Sequence, residues 1–303
     1  MGILVIGSSN TDLTVYAESL PKPGETVHGN RFVVHAGGKG ANQAVGAARL
    51  GAEVTFSCML GDDGYGREAI AGFSREGIDT SYVFRCPEQP SGVALITIDR
   101  NGENCIAVAG GANLRYRPED VDRIADFPDY RLVLTQLEIP LPTVVHIGET
   151  CRRQGLPLVL NPAPAQSLPE SLLRNVSIIT PNETEAEILT GIAVRDCASA
   201  ENAAKILAGK GVGAVVITMG SRGAFVFENG ASCFVEAYKV EAVDTTAAGD
   251  IFNGALCVAL SQGRGLLDAV RFASAASAIA VTRCGAQCSA PYAEEVAEFM
   301  RNN

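Results

Sequence analysis

Short apolar runs alternate with stretches of helical period along most of the chain. Ile3–Ile6, Val54–Met59, Leu132–Gln136, Pro157–Asn161, Ser177–Thr180 and Ala214–Met219 carry the Val, Ile and Leu runs of strands. Between and after them, Gly40–Leu50, Glu68–Glu76, Pro118–Ile124, Leu141–Gln154, Ala200–Lys210, Asp250–Gln262 and Leu266–Thr282 read as helices. Strands separated by helices of about ten residues predict βαβ units, and hence a doubly wound α/β fold with a mostly parallel sheet covered on both faces. Two stretches break this rhythm. Asp12–Ala36 and Ser91–Ala109 lack helical period, carry Thr, Val, Phe and Ile, and contain turn signals at Pro21-Lys22-Pro23-Gly24 and Asn101-Gly102. They predict antiparallel strands outside the main sheet, a small β layer projecting as a lid. With no repeat, low-complexity tract or linker, residues 1–303 read as one domain.

Composition narrows the function. Hydrophobic residues make up 47% and charged residues 19%, as in a globular chain, and the formal net charge of −10 argues against a general nucleic-acid binder. Met1-Gly2 runs straight into Ile3–Ile6 without a basic stretch, so no secretory signal is expected, and no apolar run reaches the roughly 20 residues of a membrane span. The nine cysteines are odd in number and scattered, some in apolar or helical contexts (Cys58, Cys151, Cys257), which predicts free thiols in a reducing cytoplasm rather than a disulfide framework. Cys284 and Cys288 are close enough for a metal pair. Only His28, His35 and His146 exist to complete such a site, none nearby in sequence, so these thiols read as structural.

The richest chemistry lies in Asp244-Thr245-Thr246-Ala247-Ala248-Gly249-Asp250, followed by Phe252-Asn253-Gly254. Small residues before an apolar helix leave its first amides open, and those amides with the helix dipole suit a phosphoryl group. Asp250, in the first turn, can accept a proton from an attacking hydroxyl there. It can equally be a helix-capping residue, and the seven residues alone leave both readings open. The chain contains no Gly-x-x-x-x-Gly-Lys-Ser/Thr run, so it is not a P-loop kinase.

Together with Gly37-Gly38-Lys39-Gly40-Ala41-Asn42-Gln43-Ala44, this run resembles the two signatures of the ribokinase-like carbohydrate kinases, the PfkB family. Between the signatures stand Asn161-Pro162-Ala163-Pro164-Ala165, Thr180-Pro181-Asn182-Glu183-Thr184-Glu185 and Thr218-Met219-Gly220-Ser221-Arg222-Gly223, and after them Val281-Thr282-Arg283-Cys284-Gly285-Ala286-Gln287. Six motifs in order, from Gly7 to Pro291, make the resemblance specific. It implies ATP-dependent phosphorylation of a sugar's primary hydroxyl, D-ribose first. Deoxyribose, another pentose or hexose, or a nucleoside are alternatives, and a non-catalytic sugar binder is the remote reading.

The resemblance also implies roles. Asn10 and Asp12 hold sugar hydroxyls, for which a carboxylate beside an amide is apt chemistry. Gly38, Lys39 and Asn42 complete the sugar pocket, although Gly37-Gly38 alone would read as a tight strand-to-helix turn. Glu138 is a further sugar contact, and alone would read as surface charge. Asp250 is the base, and the amides of Ala247, Ala248, Gly249 and Asp250 stabilise the transferring group. For ATP the implied residues are Asn182, Thr218, Gly220, Ser221, Gly223, Gly249 and Ser274. Glu185 stands near Mg²⁺ through water, and the Asn182/Glu185 spacing is also that of a capping box. Asp244, Thr246, Ala280, Arg283, Gly285 and Ser289 match a potassium site built mostly of backbone carbonyls, into which Cys284 and Cys288 intrude. Family members of this type pair their lids into a homodimer.

Overall fold

The first strand, β1 (Ile3–Ile6), is buried at every position: Ile3 and Val5 enter one apolar cluster and Leu4 and Ile6 another. Alternate side chains point to opposite faces of a sheet, so this strand is covered on both sides, as its unbroken apolar run predicts. The structure is a computed structural model describing residues 2–125 and 127–303; Met1 and Asp126, both inside the single domain expected over 1–303, lie outside the described residues.

From β1 the chain passes through β2 (Asn10–Ala17), β3 (Gly29–Gly37), α1 (Lys39–Arg49), β4 (Val54–Gly61), α2 (Gly64–Arg75) and β5 (Val83–Cys86). It continues with β6 (Gly92–Ile98), β7 (Asn104–Ala109), α3 (Pro118–Val121), β8 (Leu132–Thr135), α4 (Leu141–Gln154), β9 (Leu158–Leu160), α5 (Glu170–Leu173) and β10 (Ile178–Ile179). The remainder is α6 (Glu183–Thr190), α7 (Cys197–Gly209), β11 (Ala214–Thr218), β12 (Gly223–Glu228), β13 (Ala231–Glu236), α8 (Ala248–Ser261), α9 (Leu266–Ala280) and α10 (Ala293–Asn302).

The main sheet has nine strands in the order β13-β12-β11-β10-β9-β8-β1-β4-β5. From β11 to β5 every neighbouring pair is parallel, and β12 and β13 add an antiparallel hairpin at one edge. One face is covered by α1, α8, α9 and α10 and the other by α3, α4, α5 and α7. After β1 the chain steps outward to β4 and β5, then returns to the other side of β1 at β8. Neighbouring connections thus diverge beyond the carboxyl ends of β1 and β8, where open α/β sheets place their ligands.

The lid is a second, four-stranded sheet, β3-β2-β6-β7. Its two hairpins are antiparallel, as expected, but they join through β2 and β6, which run parallel. This corrects the purely antiparallel reading: both strands leave the main sheet in the same direction. The register places Phe32, Val34 and Leu95 on the lid face opposite Asp12, and all three are exposed.

Candidate active site

The crevice is built by close approach of backbone. Beyond β1, Gly7–Ser9 run under the first turn of α1, and Gly38 opens that helix at φ +89°, a left-handed conformation that glycine adopts without strain. A Cβ at Gly38 would lie 2.6 Å from the Asn10 amide nitrogen, so a side chain there would displace the strand carrying Asn10 and Asp12. The tight strand-to-helix turn expected of Gly37-Gly38 is therefore present, packed against the strand that carries Asn10 and Asp12. Glu138, three residues past β8, accepts from the Ser8 hydroxyl (2.5 Å) and from the Lys39 backbone amide (3.0 Å). The carboxylate therefore fastens the start of α1 to the strand below it and is not idle surface charge.

Asp250 lies in the first turn of α8 and is 6% exposed. Its Oδ2 accepts from Asn42 Nδ2 (2.9 Å) and its Oδ1 from Gln43 Nε2 (3.0 Å). Ala247, preceding the helix, takes φ +59°, an uncommon conformation for a residue with a Cβ, and no side chain caps the helix. Asp250 is thus not spent as a capping group.

Charge converges on this point. Burial pushes the Asp250 carboxyl above its usual range, against the pull of Lys39, Asn42 and Gln43 and with the push of Glu138. Asp12 is raised to about 6 by burial and by the carboxylates of Glu138 and Asp250. Burial acts to lower the Lys39 ammonium, but Asp250, Glu138 and Glu185 outweigh it and raise it. Burial likewise raises Glu185, opposed by the Asn182 amide and Lys39, with Asp250 adding to the rise. One cation among four carboxylates suits a site that handles protons and phosphates.

Asn182 and Glu185 form the capping box of α6, each side chain bonding the other's backbone amide at 2.8 Å. One Glu185 oxygen is used there. Asn182 also bridges to Thr218, whose amide donates to the Pro181 carbonyl (2.9 Å), so the two stretches expected around ATP lie side by side. Beyond Thr218, Gly220–Arg222 form a 3₁₀ turn, with Ser221 exposed and Gly223 opening β12. Ser274 is half-buried on α9; one turn later, Ser277 Oγ donates to the Ala248 carbonyl (3.0 Å), which puts that face of α9 against the start of α8.

Asp244 ties two loops together: Oδ1 accepts from the Thr246 amide (2.9 Å) and Oδ2 from the Gly285 amide (2.8 Å). Burial would raise this carboxyl, but the Thr246 hydroxyl and the amides of Gly285 and Thr246, all bonded to it, hold it below its usual range. Ala280 ends α9, and its carbonyl accepts from the Arg283 amide (3.0 Å) while the Arg283 guanidinium pairs with Glu295 (2.5 Å). Ser289 is buried and bonds the Ala286 carbonyl (2.8 Å). Cys288 Sγ contacts the Cys284 carbonyl (3.2 Å), and both thiols are exposed.

Sequence reasoning missed several residues. Asn113 is 1% exposed and bonds both the amide and the carbonyl of Ser9, each at 3.0 Å. That pairing fixes its orientation, so its Nδ2 meets Asn10 Oδ1 (2.8 Å) and the Asn10 Nδ2 is the end left for a ligand. Arg49 donates to the carbonyls of Gln287 (2.8 Å) and Ala290 (3.1 Å) and pairs with Glu76 (2.6 Å), pinning the last loop to α1. Neither stands in a recognisable motif. Asn42 Oδ1 is buried without a partner among the described residues, as is Gln136 Oε1.

Known proteins resemble this chain over almost its whole length. Residues 2–293 match the description "pfkB family carbohydrate kinase". A ribokinase of Haemophilus influenzae is 43% identical over 99% of this chain and 98% of its own length. A deoxyribokinase of Salmonella typhi is 39% identical over the full length of both chains. The structure of Arabidopsis thaliana ribokinase complexed with ribose and ATP superposes with a TM-score of 0.91 at 31% identity, covering 99% of this chain and 98% of that one.

Proposed function

The chain belongs to the pfkB family of carbohydrate kinases, and on that premise we propose that it transfers the γ-phosphoryl group of ATP to the 5-hydroxyl of D-ribose, giving ribose 5-phosphate and ADP. The observation that carries this reading is Asp250: a buried carboxylate with both oxygens hydrogen-bonded, in the first turn of a helix without a side-chain cap, beside Lys39.

The sugar sits between lid and sheet, held by Asn10, Asp12, Gly38, Lys39, Asn42 and Glu138. The unpartnered Asn42 Oδ1 favours this, since a sugar hydroxyl would satisfy it. Each Asp250 oxygen accepts one bond and keeps capacity for another, so the carboxylate can take the proton of the attacking hydroxyl. Its raised pKa brings it nearer the working pH of a base. ATP lies along Asn182, Thr218, Gly220, Ser221 and Gly223 toward Gly249, with Ser274 beside the nucleoside. The amides of Ala247–Asp250 meet the charge developing on the transferred group, and Lys39 adds a cation. Lid closure excludes water, which would otherwise compete with the sugar.

Glu185, through the oxygen not used on Asn182, would hold the water shell of Mg²⁺, which neutralises phosphate oxygens when bound. The Asp244–Thr246 and Ala280–Ser289 loops, brought together by the Asp244 carboxylate, offer oxygen ligands for K⁺ next to the Ala247 turn. The exposed Phe32, Val34 and Leu95 support a homodimer through the lids, since so apolar a face is ordinarily covered. Nine free cysteines among the described residues fit a cytoplasmic protein, and none of the described helices is long and apolar enough to cross a membrane.

A second reading keeps the chemistry and changes the acceptor to 2-deoxyribose, favoured by the full-length likeness to the Salmonella deoxyribokinase. Coupled measurement of ADP release over ribose, 2-deoxyribose, hexoses and nucleosides, with and without K⁺, tests both. Fastest kcat/KM on ribose supports the first, and on deoxyribose the second. ADP release that no sugar stimulates refutes the kinase assignment.

A further inference from the structure

Gln43 follows Asn42 in α1, is fully buried, and has no role in the reading above. Its Nε2 donates to Asp250 Oδ1 (3.0 Å) and to Asn161 Oδ1 (3.1 Å), and its Oε1 accepts from Gln136 Nε2 (2.5 Å). The neighbours dictate which end of this amide faces Asp250. A carbonyl can only accept, so Asn161 must turn Nδ2 toward the Thr180 carbonyl (3.2 Å), leaving its Oδ1 toward Gln43. Gln43 must then offer Nε2 on that side. The chain of bonds continues from the Thr180 hydroxyl to Asn253 Oδ1 (2.6 Å) and from Asn253 Nδ2 to the Gly249 carbonyl (2.8 Å). It closes on α8 one residue before it began. Gln43, Asn161, Thr180 and Asn253 are all buried, so water does not compete for these bonds.

We infer that Gln43 is a positioning residue for phosphoryl transfer: its amide, locked by Asn161 and Gln136, fixes the rotation of the Asp250 carboxylate and stabilises its ionised form while leaving its other lone pairs to the acceptor hydroxyl. An amide serving only the core would need partners, but not this carboxylate. The inference rests on Asp250 being the base. The other groups acting on Asp250 are Lys39 and Asn42 from α1, Glu138 after β8, Asp12 from β2 and Glu185 from α6. The first two favour its charge, and the three carboxylates oppose it. Removing a donor from an ionised oxygen raises the pKa of the acid, so without Gln43 the base is protonated at higher pH.

The test is the pH profile of kcat at saturating sugar and ATP, conditions under which the sugar-binding role assigned to Asp12 drops out. In Gln43→Leu the acid limb moves to higher pH by on the order of one unit, activity returns at alkaline pH, and KM for ATP changes by less than about twofold. Gln43→Met, closer to glutamine in length and likewise without a donor, moves the limb in the same direction; it carries the test where the leucine variant does not fold. An acid limb at its natural position in either folded variant, with Asp250→Asn inactive, overturns the role of Gln43 and leaves the base standing. Near-normal turnover of Asp250→Asn brings down the base, and the inference with it.

Discussion

Replacing Asn10 with methionine tests the choice between ribose and deoxyribose. Asn10 is 8% exposed at the foot of the lid, and Asn113 holds its Oδ1 at 2.8 Å, so Nδ2 is the end left to face the proposed sugar. If that donor meets the 2-hydroxyl, 2-deoxyribose leaves it buried and unpaired. Such a loss costs about 1–3 kcal/mol, or roughly five- to a hundredfold in kcat/KM in favour of ribose. Asn10→Met exchanges the amide for an apolar surface and should shrink or reverse that ratio. It also deprives Asn113 Nδ2 of one of its two acceptors, the Ser9 carbonyl remaining, so a stability loss of about 1 kcal/mol is expected. The melting temperature then drops by roughly 1–2 °C, which distinguishes a repacked pocket from an unfolded one. The assay is kcat/KM for both sugars on both proteins, with a thermal melt of each. A natural enzyme that prefers deoxyribose, or a ratio unchanged in the folded variant, refutes Asn10 as the selector.

Three further outcomes are expected. Asp250→Asn should lower kcat by about a hundredfold or more while ATP binding, followed by calorimetry, persists; a folded variant with near-normal kcat contradicts the base assignment. K⁺ should activate more than Na⁺ at equal ionic strength, and equal rates after removal of K⁺ leave the ligand set of Asp244, Thr246, Ala280, Arg283, Gly285 and Ser289 without support. Asp12, raised to about 6 in the folded chain, favours folding below its ordinary pKa near 3.8, and that contribution is lost as pH rises through 6. Asp12→Asn should therefore melt a few degrees higher than the natural protein at pH 7.5, with the gap closing by pH 4; an equal gap at both pH values shows that its charge is not the cause.

Local pattern carried the parallel sheet. The apolar runs of β1, β4, β8, β9, β10 and β11 lie where the sequence places them, because strands buried on both faces cannot hide among polar residues. β5 escaped because four residues, Val-Phe-Arg-Cys, are too few to show a period. The β12–β13 hairpin departs from the strand–helix alternation, and its legible signal is the Asn229-Gly230 turn between apolar runs. α10, by contrast, has an amphipathic 3.6-residue period that is legible in the sequence. In the site, residues in motifs could be named, yet Gln43, Asn113 and Gln136 acquire meaning only through partners about a hundred positions away. Gln43 and Asn161 lie inside recognisable motifs, yet their side-chain roles depend on the same distant partners. Such pairings depend on which loops the fold brings together, and no local rule reports them.

Strand β2 begins at Asn10, carries Asp12 two residues later, and ends as an inner strand of the lid. Eight residues of strand span roughly 26 Å, so a swing of about 10° at its base would carry the far end some 4–5 Å, on the order of a strand spacing. The two groups proposed to grip the sugar thus sit at the fulcrum of a lever whose long arm is the cover. On the proposed site, a sugar seated against Asn10 and Asp12 would set the tilt of the whole arm, whereas ATP reaching an empty pocket would find nothing at the pivot to draw the arm down.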